Sequence, residues 1–382
     1  MSSNRCHFFV TLAQPENLEK LCLEAIGKYF CDLWYNFEPH LNDDRSEEQE
    51  QTLSVHVQKL KFTYRNFHRL LTENVPITLA NDVTNKLLSC IDSLGIMIDR
   101  NELEEEIYEE LIKCVIHPGV TRIAPKMDLL GDSDTFPHNW ICSDIFLEGE
   151  FDSSVLVRLL VKNVSCLNNL KSLNLKYYLH QEYDFTYDEF PPFLEEFCGF
   201  CNDESLKEIA RSCRFMKALN LFDQMGITDC SIASILLMDN LEKLNIANTA
   251  ITEEGYVDLL KGLIKKGETS KLNCLVLSEC NGEILRILEA LPRLKISLLL
   301  DCEDWHDLSS LKNVHGLNVD TSLTDSHKIL RNIGRHLVYL HVYISNNANA
   351  EDVLLIGQYC TSLQCLHFSG CVYNITIHWK IT

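Results

Sequence analysis

Leu170-Lys171-Ser172-Leu173-Asn174-Leu175 opens a phrase, Leu-x-x-Leu-x-Leu, that decides the fold because it keeps returning. It recurs as Met216-x-x-Leu219-x-Leu221, Leu241-x-x-Leu244-x-Ile246 and Leu272-x-x-Leu275-x-Leu277. Farther on it stands as Val314-x-x-Leu317-x-Val319, Leu337-x-x-Leu340-x-Val342 and Leu363-x-x-Leu366-x-Phe368, with a weaker copy at Leu294-x-x-Ser297-x-Leu299. The starts are separated by 46, 25, 31, 22, 20, 23 and 26 residues, and the first interval reads as two units of which one is degraded. A return every 20–29 residues with this phrase is the signature of a leucine-rich repeat.

One such unit has an apolar side that it cannot bury alone. Neighbouring units close a continuous core when they stack, and the array bends into an arc. Helical stretches such as Gly255 to Lys265 and Gly282 to Leu291 lie between phrases, so each unit reads as strand, turn, helix. Position nine of several copies is a cysteine (Cys280, Cys302, Cys371), a residue type that fills a buried turn. The expected fold class is therefore α/β: a helical N-terminal region, residues 1–119, followed over 120–382 by a leucine-rich-repeat solenoid with a curved parallel sheet and helices outside.

The front of the chain has a different texture. Residues 15–35 read as a helix, with Pro15 at its first position and Glu16 at its positive end. Residues 36–51 are polar and acidic and read as a loop. Residues 53–71 alternate briefly at Ser54 to Val57 but carry Leu60, Tyr64, Phe67 and Leu71 at helical spacing, which favours a helix. Pro76 opens another helix with Leu79, Val83, Leu87 and Leu94 on one side. Asp99 and Glu102 form a capping box for a last helix ending near Cys114, and His117-Pro118-Gly119 is the stop.

Composition narrows the function classes. A formal charge of −21 disfavours nucleic acid and anionic membranes as partners. The start lacks the apolar core of a signal peptide, and no run approaches the roughly 18 apolar residues of a membrane span. An intracellular protein, cytoplasmic or nuclear, is expected. Its 17 cysteines then read as reduced thiols.

Leu18, Cys22 and Ile26, four residues apart, form one stripe on the first helix, widened by Leu21 and Ala25. The stripe suits either packing within its own domain or docking on a partner. Pro15 to Cys22 resembles the BC box, the helix by which ubiquitin-ligase substrate receptors bind elongin C. Val75-Pro76-Ile77-Thr78-Leu79-Ala80-Asn81-Asp82-Val83 resembles the cullin-two box, aliphatic-Pro-x-x-aliphatic-x-x-x-aliphatic. A BC box over 17–26, a cullin-type box over 75–83 and leucine-rich repeats, in that order, resemble the zyg-eleven and zer-one group of cullin-two receptors. PRAME-type receptors are more distantly similar. The resemblance implies that Leu18, Leu21, Cys22 and Ile26 contact elongin C within elongin B/C, while Val75, Pro76, Leu79 and Val83 help select cullin-two. Asn17 stands where that group has a small residue or Pro, and residues 36–70, acidic over 36–51, read as an insertion. The armadillo-like region that reads substrate N-termini in the group is lacking before Thr382. A shortened relative or truncated product is expected, and that substrate activity does not carry over.

Strand positions between the phrase leucines should point to the concave face. Asn220, Phe222, Asn245, Asp320, His341, Tyr343 and His367 lie there, suited to a protein substrate or merely to a solvated sheet. Catalytic and metal signals are missing from the sequence. Cys198-Gly199-Phe200-Cys201 has no second pair to complete a zinc site, and Pro191-Pro192 before it does not suit a redox motif. No His-Glu-x-x-His, phosphate loop or nucleophile elbow occurs. The expectation is a non-catalytic adaptor of a ubiquitin ligase with neither cofactor nor metal, against a repeat scaffold or inhibitor with no ligase link.

Overall fold

The computed structural model describes residues 23–29, 47–93, 102–123, 154–163, 167–175, 190–278, 280–300, 308–320, 329–344, 350–370 and 375–378. The chain divides into two compact units, Met1–Lys126 with Phe151–Leu160, and Met127–Glu150 with Val161–Thr382.

The first unit is helical. Residues 23–29 form a short helix, and α1 runs from Glu47 to Asn74. Glu47 to Gln51, expected as the end of a loop over 36–51, belong to α1, since glutamates favour the positive end of a helix; residues 36–46 lie outside the described residues. Tyr64, Phe67 and Leu71 of α1 are buried, so the helical stripe won over the short alternation before it. After Val75, Pro76 adopts extended backbone (φ −60°, ψ 145°) and caps a single 3-10 turn, Ile77–Leu79, that leads into α2, Ala80–Ser93. Val83, Leu87, Leu88 and Ile91 make the inner side of α2. α3, Glu102–Val115, packs on α1 and buries Leu111, Ile112 and Val115. Asp99 and Leu94 fall outside the described residues. The strand β1, Arg122–Ile123, is tied to α2 by Asn81, whose Oδ1 accepts from the backbone of Thr121 (2.8 Å) and Arg122 (3.0 Å). A further helix, α4, spans Ser154–Asn163.

The second unit is built on a parallel sheet in chain order: β2 (Ser172–Asn174), β3 (Glu196–Cys198), β4 (Ala218–Asn220), β5 (Lys243–Asn245), β6 (Cys274–Leu277), β7 (Lys295–Leu300), β8 (Val314–Asp320), β9 (Tyr339–Ile344) and β10 (Cys365–Gly370). A last strand, β11 (Ile375–His378), adds antiparallel to β10. Register aligns Leu173, Phe197, Leu219, Leu244, Leu275 and Ile296 in one row across six strands, each at most 2% exposed. The middle leucine of the repeated phrase therefore occupies the same buried place in successive units. The connections carry α5 (Asp203–Ser212), α6 (Ile232–Leu237), α7 (Glu253–Lys266) and α8 (Gly282–Glu289), each packed on the next; α9 (Ala350–Tyr359) precedes β10. Polar caps start three of them. Asn202, Thr252 and Asn281 side chains accept from the backbone N–H of Ser205, Gly255 and Ile284, satisfying first-turn donors that lack helical partners.

Two details of the repeat differ from the sequence reading. The degraded unit inside the 46-residue interval is Leu194-x-x-Phe197-x-Gly199, whose strand is β3. Aromatic and glycine replacements had hidden it, and the Cys198/Cys201 pair belongs to it. The weak copy is also out of frame by one. Leu275 pairs with Ile296 and Leu277 with Leu298, so the inward residues are Ile296 and Leu298, whereas Ser297 joins the row of Val276 on the opposite face. A one-residue slip exchanges the two faces of a strand. The mismatch is absorbed at the next boundary, where Ile296 pairs with Val314 but Ser297 pairs with Gly316, leaving His315 as a bulge.

Candidate functional site

Of the residues assigned to elongin, Leu18, Leu21 and Cys22 lie outside the described residues. Ile26 is half-buried on the helix 23–29, beside exposed Glu24 and Ala25. That helix packs through Gly27, where an added Cβ would come within 2.9 Å of the Cys90 sulfur and 3.1 Å of Lys86 on α2. Tyr29 stacks on Phe67 of α1 at 6.3 Å between ring centroids.

The segment assigned to cullin-two splits into an outer and an inner part. Val75 and Leu79 are half-buried and Pro76 is exposed, while Val83 is only 2% exposed and belongs to the inner side of α2. Val83 can support a docking surface but does not present one. Ile77, an unassigned position of the pattern, is 74% exposed instead. The turn at His117 to Gly119 backs it: a Cβ on Gly119 would lie 3.2 Å from Ile77 Cγ2. His117 is held there by its backbone N–H, which donates to Thr84 Oγ1 at 3.1 Å, and by its Nδ1, which accepts from Gly119 N at 2.9 Å. Helical periodicity counts Ile77 as a filler position, but the 3-10 turn before α2 rotates it outward.

The sheet residues assigned to a substrate are closed off rather than open. Asn220, Phe222, Asn245, His341 and His367 are between 0 and 7% exposed. Asp320 and Tyr343 pair in register between β8 and β9, and their side chains are outside what the structure describes. The alternation is as expected. What differs is the company on that face. Register sets Asn245 beside Val276, and alternation puts Cys274, Tyr339 and Cys365 on the same side. Phe222, Ala247, Cys274, Val276, Tyr339 and Cys365 form one buried apolar cluster edged by Leu299 and Val338. The two amides serve the chain itself: Asn220 Oδ1 accepts from Phe222 N and Asn245 Oδ1 from Ala247 N, both at 3.1 Å, holding the turn after each strand. His341 and His367 sit side by side on β9 and β10, ring centroids 4.9 Å apart. Burial, reinforced by His367, drives the His341 imidazole down to about 3, so it is neutral at ordinary pH.

A further apolar feature was not anticipated. Phe193 and Phe215 stack at 6.0 Å and remain 53% and 51% exposed. Each directly precedes the first residue of a repeat phrase, so the pairing was readable once Leu194 was recognised as a phrase start. Beside them Glu195 bridges Lys171 (3.5 Å) and Lys217 (2.6 Å), and the Lys217 hydrogen bond holds the Glu195 carboxyl below its ordinary range.

The chemistry of the buried thiols among the described residues is that of core residues. Cys201 is buried and its thiol is pushed far up by burial, with Asp203 adding to the shift; Cys213 and Cys360 are driven to about 12 by burial. A thiol so shifted supplies no thiolate for redox exchange or metal binding near neutral pH. Among the described residues, no group of three or more His, Cys, Asp or Glu is placed to hold a metal ion, and no helix is long and apolar enough to cross a membrane. No protein-family model matches the chain, and no curated protein is significantly similar to it in sequence.

Proposed function

We propose that this chain is a substrate-recognition subunit of a cullin-RING ubiquitin ligase. In this reading the first unit docks elongin B/C and cullin-two, and the second is a leucine-rich-repeat solenoid that holds a protein substrate. The chain supplies binding and orientation in the cytoplasm or nucleus, and other subunits perform the chemistry. The observation that carries the reading is the head of α2: Pro76 and Ile77 stand exposed between half-buried Val75 and Leu79, where the cullin-type box falls. A surface of this kind, an apolar anchor rimmed by small contacts, is what a protein interface is built around. Parallel strands in chain order, with the phrase leucines in one buried row, support the solenoid.

A second reading is favoured by a different observation. Closure of the Asn220, Asn245, His341 and His367 positions removes the open concave face that a substrate receptor of this kind would use, as suits a repeat scaffold or inhibitor without a ligase role. Co-expression of the full chain with elongin B/C and the cullin-two N-terminal domain separates the two. The ligase reading expects one stable complex, loss of elongin with Leu18→Ser combined with Cys22→Phe, and loss of cullin alone with Ile77→Ser. Loss of a pocket-filling leucine weakens an interface by about 2 kcal/mol, or about thirtyfold. Failure of the chain to retain elongin, or retention unchanged by the double substitution, would decide for the scaffold.

A further inference from the structure

The outward face of α1 reverses the charge of the rest of the chain. Between Gln58 and Asn74 it carries Lys59, Lys61, Arg65 and Arg69 against a single acid, Glu73, in a protein whose formal charge is −21. Successive helix positions turn by about 100°, which places Lys59, Phe62, Arg65, Arg69, Leu70 and the acid Glu73 within an arc of about 140°, three cations against one carboxylate, with Lys61 just outside it. Tyr64, Phe67 and Leu71 occupy the opposite, buried arc. Phe62 is 69% and Leu70 53% exposed, and Arg65 is 71% exposed although it reaches Glu110 at 3.7 Å. An exposed phenylalanine and leucine, about two turns apart and interleaved with cations, are not explained by the packing of α1, because that packing uses the other side.

We infer that this face of α1 docks an acidic amphipathic segment of a partner protein. Phe62 and Leu70 supply two apolar anchors, and Lys59, Arg65 and Arg69 supply the rim that selects carboxylates. Apolar anchors give such a contact its lifetime, while rim charges chiefly set its association rate and salt dependence. A lipid surface fits less well. A helix lying in a membrane inserts a continuous apolar face, and here that face is already spent on the core. The inference stands apart from the ligase reading, because none of these side chains belongs to the segments assigned to elongin or cullin-two.

The test uses the full chain and a fluorescein-labelled helical peptide with Leu on one face and Glu on the other, followed by fluorescence anisotropy. The same peptide with Gln for Glu serves as control, and phosphatidylserine vesicles are measured by co-sedimentation. The expected result is micromolar binding of the Glu peptide, at least about tenfold weaker binding of the Gln peptide, and a marked loss at high salt. Phe62→Ser with Leu70→Ser, and separately Arg65→Glu with Arg69→Glu, should each weaken it by about tenfold or more. All four positions are exposed, so an unchanged thermal midpoint shows that the variants fold. Equal affinity for both peptides, no binding, or binding indifferent to the substitutions would overturn the inference. So would vesicle binding that depends on Phe62 and Leu70, or a concentration-dependent dimer abolished by the same pair, since the occupant would then be a membrane or a second copy. Elongin and cullin capture by the double variants should be unchanged, which keeps the outcome separate from that of the ligase reading.

Discussion

Acid should loosen the C-terminal half of the sheet well before the carboxylates titrate, and His341 sets the window. In the folded chain burial, with His367 beside it, holds the His341 imidazole near 3, whereas an exposed histidine titrates at about 6.5. Between those two values the unfolded chain binds a proton that the folded chain refuses. Stability contributed by the neutral ring is thus complete above about pH 6.5 and is lost as the pH falls toward 3. At about pH 5 the loss from this one side chain works out near 2 kcal/mol, with a limiting slope of about 1.4 kcal/mol per pH unit. His341 is 3% exposed, so solvent screening takes little from that figure. The carboxylates act in a different range. Glu195, Glu208 and Asp239 sit below their ordinary values through lysine or arginine partners, so their contributions persist until the pH is lower still. Urea unfolding at about pH 7.5, 6 and 5, for the native chain and for His341→Asn, reads the difference directly. The substitution shifts stability by some constant amount, but the gap between the two proteins should change by about 2 kcal/mol across the series. A selectively labelled sample should also show His341 ring resonances that do not titrate above about pH 4. Parallel stability curves, or a ring that titrates near 6.5, would refute the reasoning.

Other consequences are read from single side chains. Val83→Ala should lower stability by about 1–3 kcal/mol through lost packing inside α2, while Ile77→Ser should leave it within about 0.5 kcal/mol, both measured by urea unfolding. If the proposed ligase reading holds, only the second should impair cullin-two binding without unfolding the first unit. Cys230 is exposed, and iodoacetamide should modify it in the native protein while Cys201 and Cys213 resist until the chain unfolds, as peptide mass spectrometry would show.

Most of the sheet was legible because its rule is local. Leucines at positions one, four and six of each phrase repeat the same demand for burial, and the register returns Leu173, Leu219, Leu244 and Leu275 to one row. The rule failed where spacing and chemistry separated. Phe197 fills the leucine place in β3 without being a leucine, and Ser297 stands at a phrase position framed by Leu294 and Leu299 that the sheet does not turn inward. Strand pairing decides that second case. A slip of one residue is invisible in a single strand and becomes fixed only when Leu298 meets Leu317 on the neighbour and His315 is left over. The burial of α1 was readable for a similar reason, since Tyr64, Phe67 and Leu71 keep helical spacing through a stretch whose start alternates.

The candidate surfaces were less legible, and the obstacle is physical. Alternation along a strand assigns a side chain to a face but does not say whether that face is covered. Asn220, Asn245, His341 and His367 would read the same on an open sheet. What distinguishes them is a pair of second-order cues: the apolar residues two places before His341 and His367, and the backbone N–H two places after each asparagine. Tyr339 and Cys365 precede the histidines on the same face, and both are buried. The asparagine oxygens bond to Phe222 N and Ala247 N, which fixes each amide in its own turn. A polar group that already satisfies its own backbone has little left to offer a ligand. By the same logic Pro76 and Ile77 gain weight, because much of their apolar surface is left uncovered even where the turn at Gly119 backs Ile77. Recognition in this chain is thus better sought where apolar side chains stay exposed, at Ile77, on the outer face of α1 and at the Phe193–Phe215 stack, than in the polar rows of the sheet.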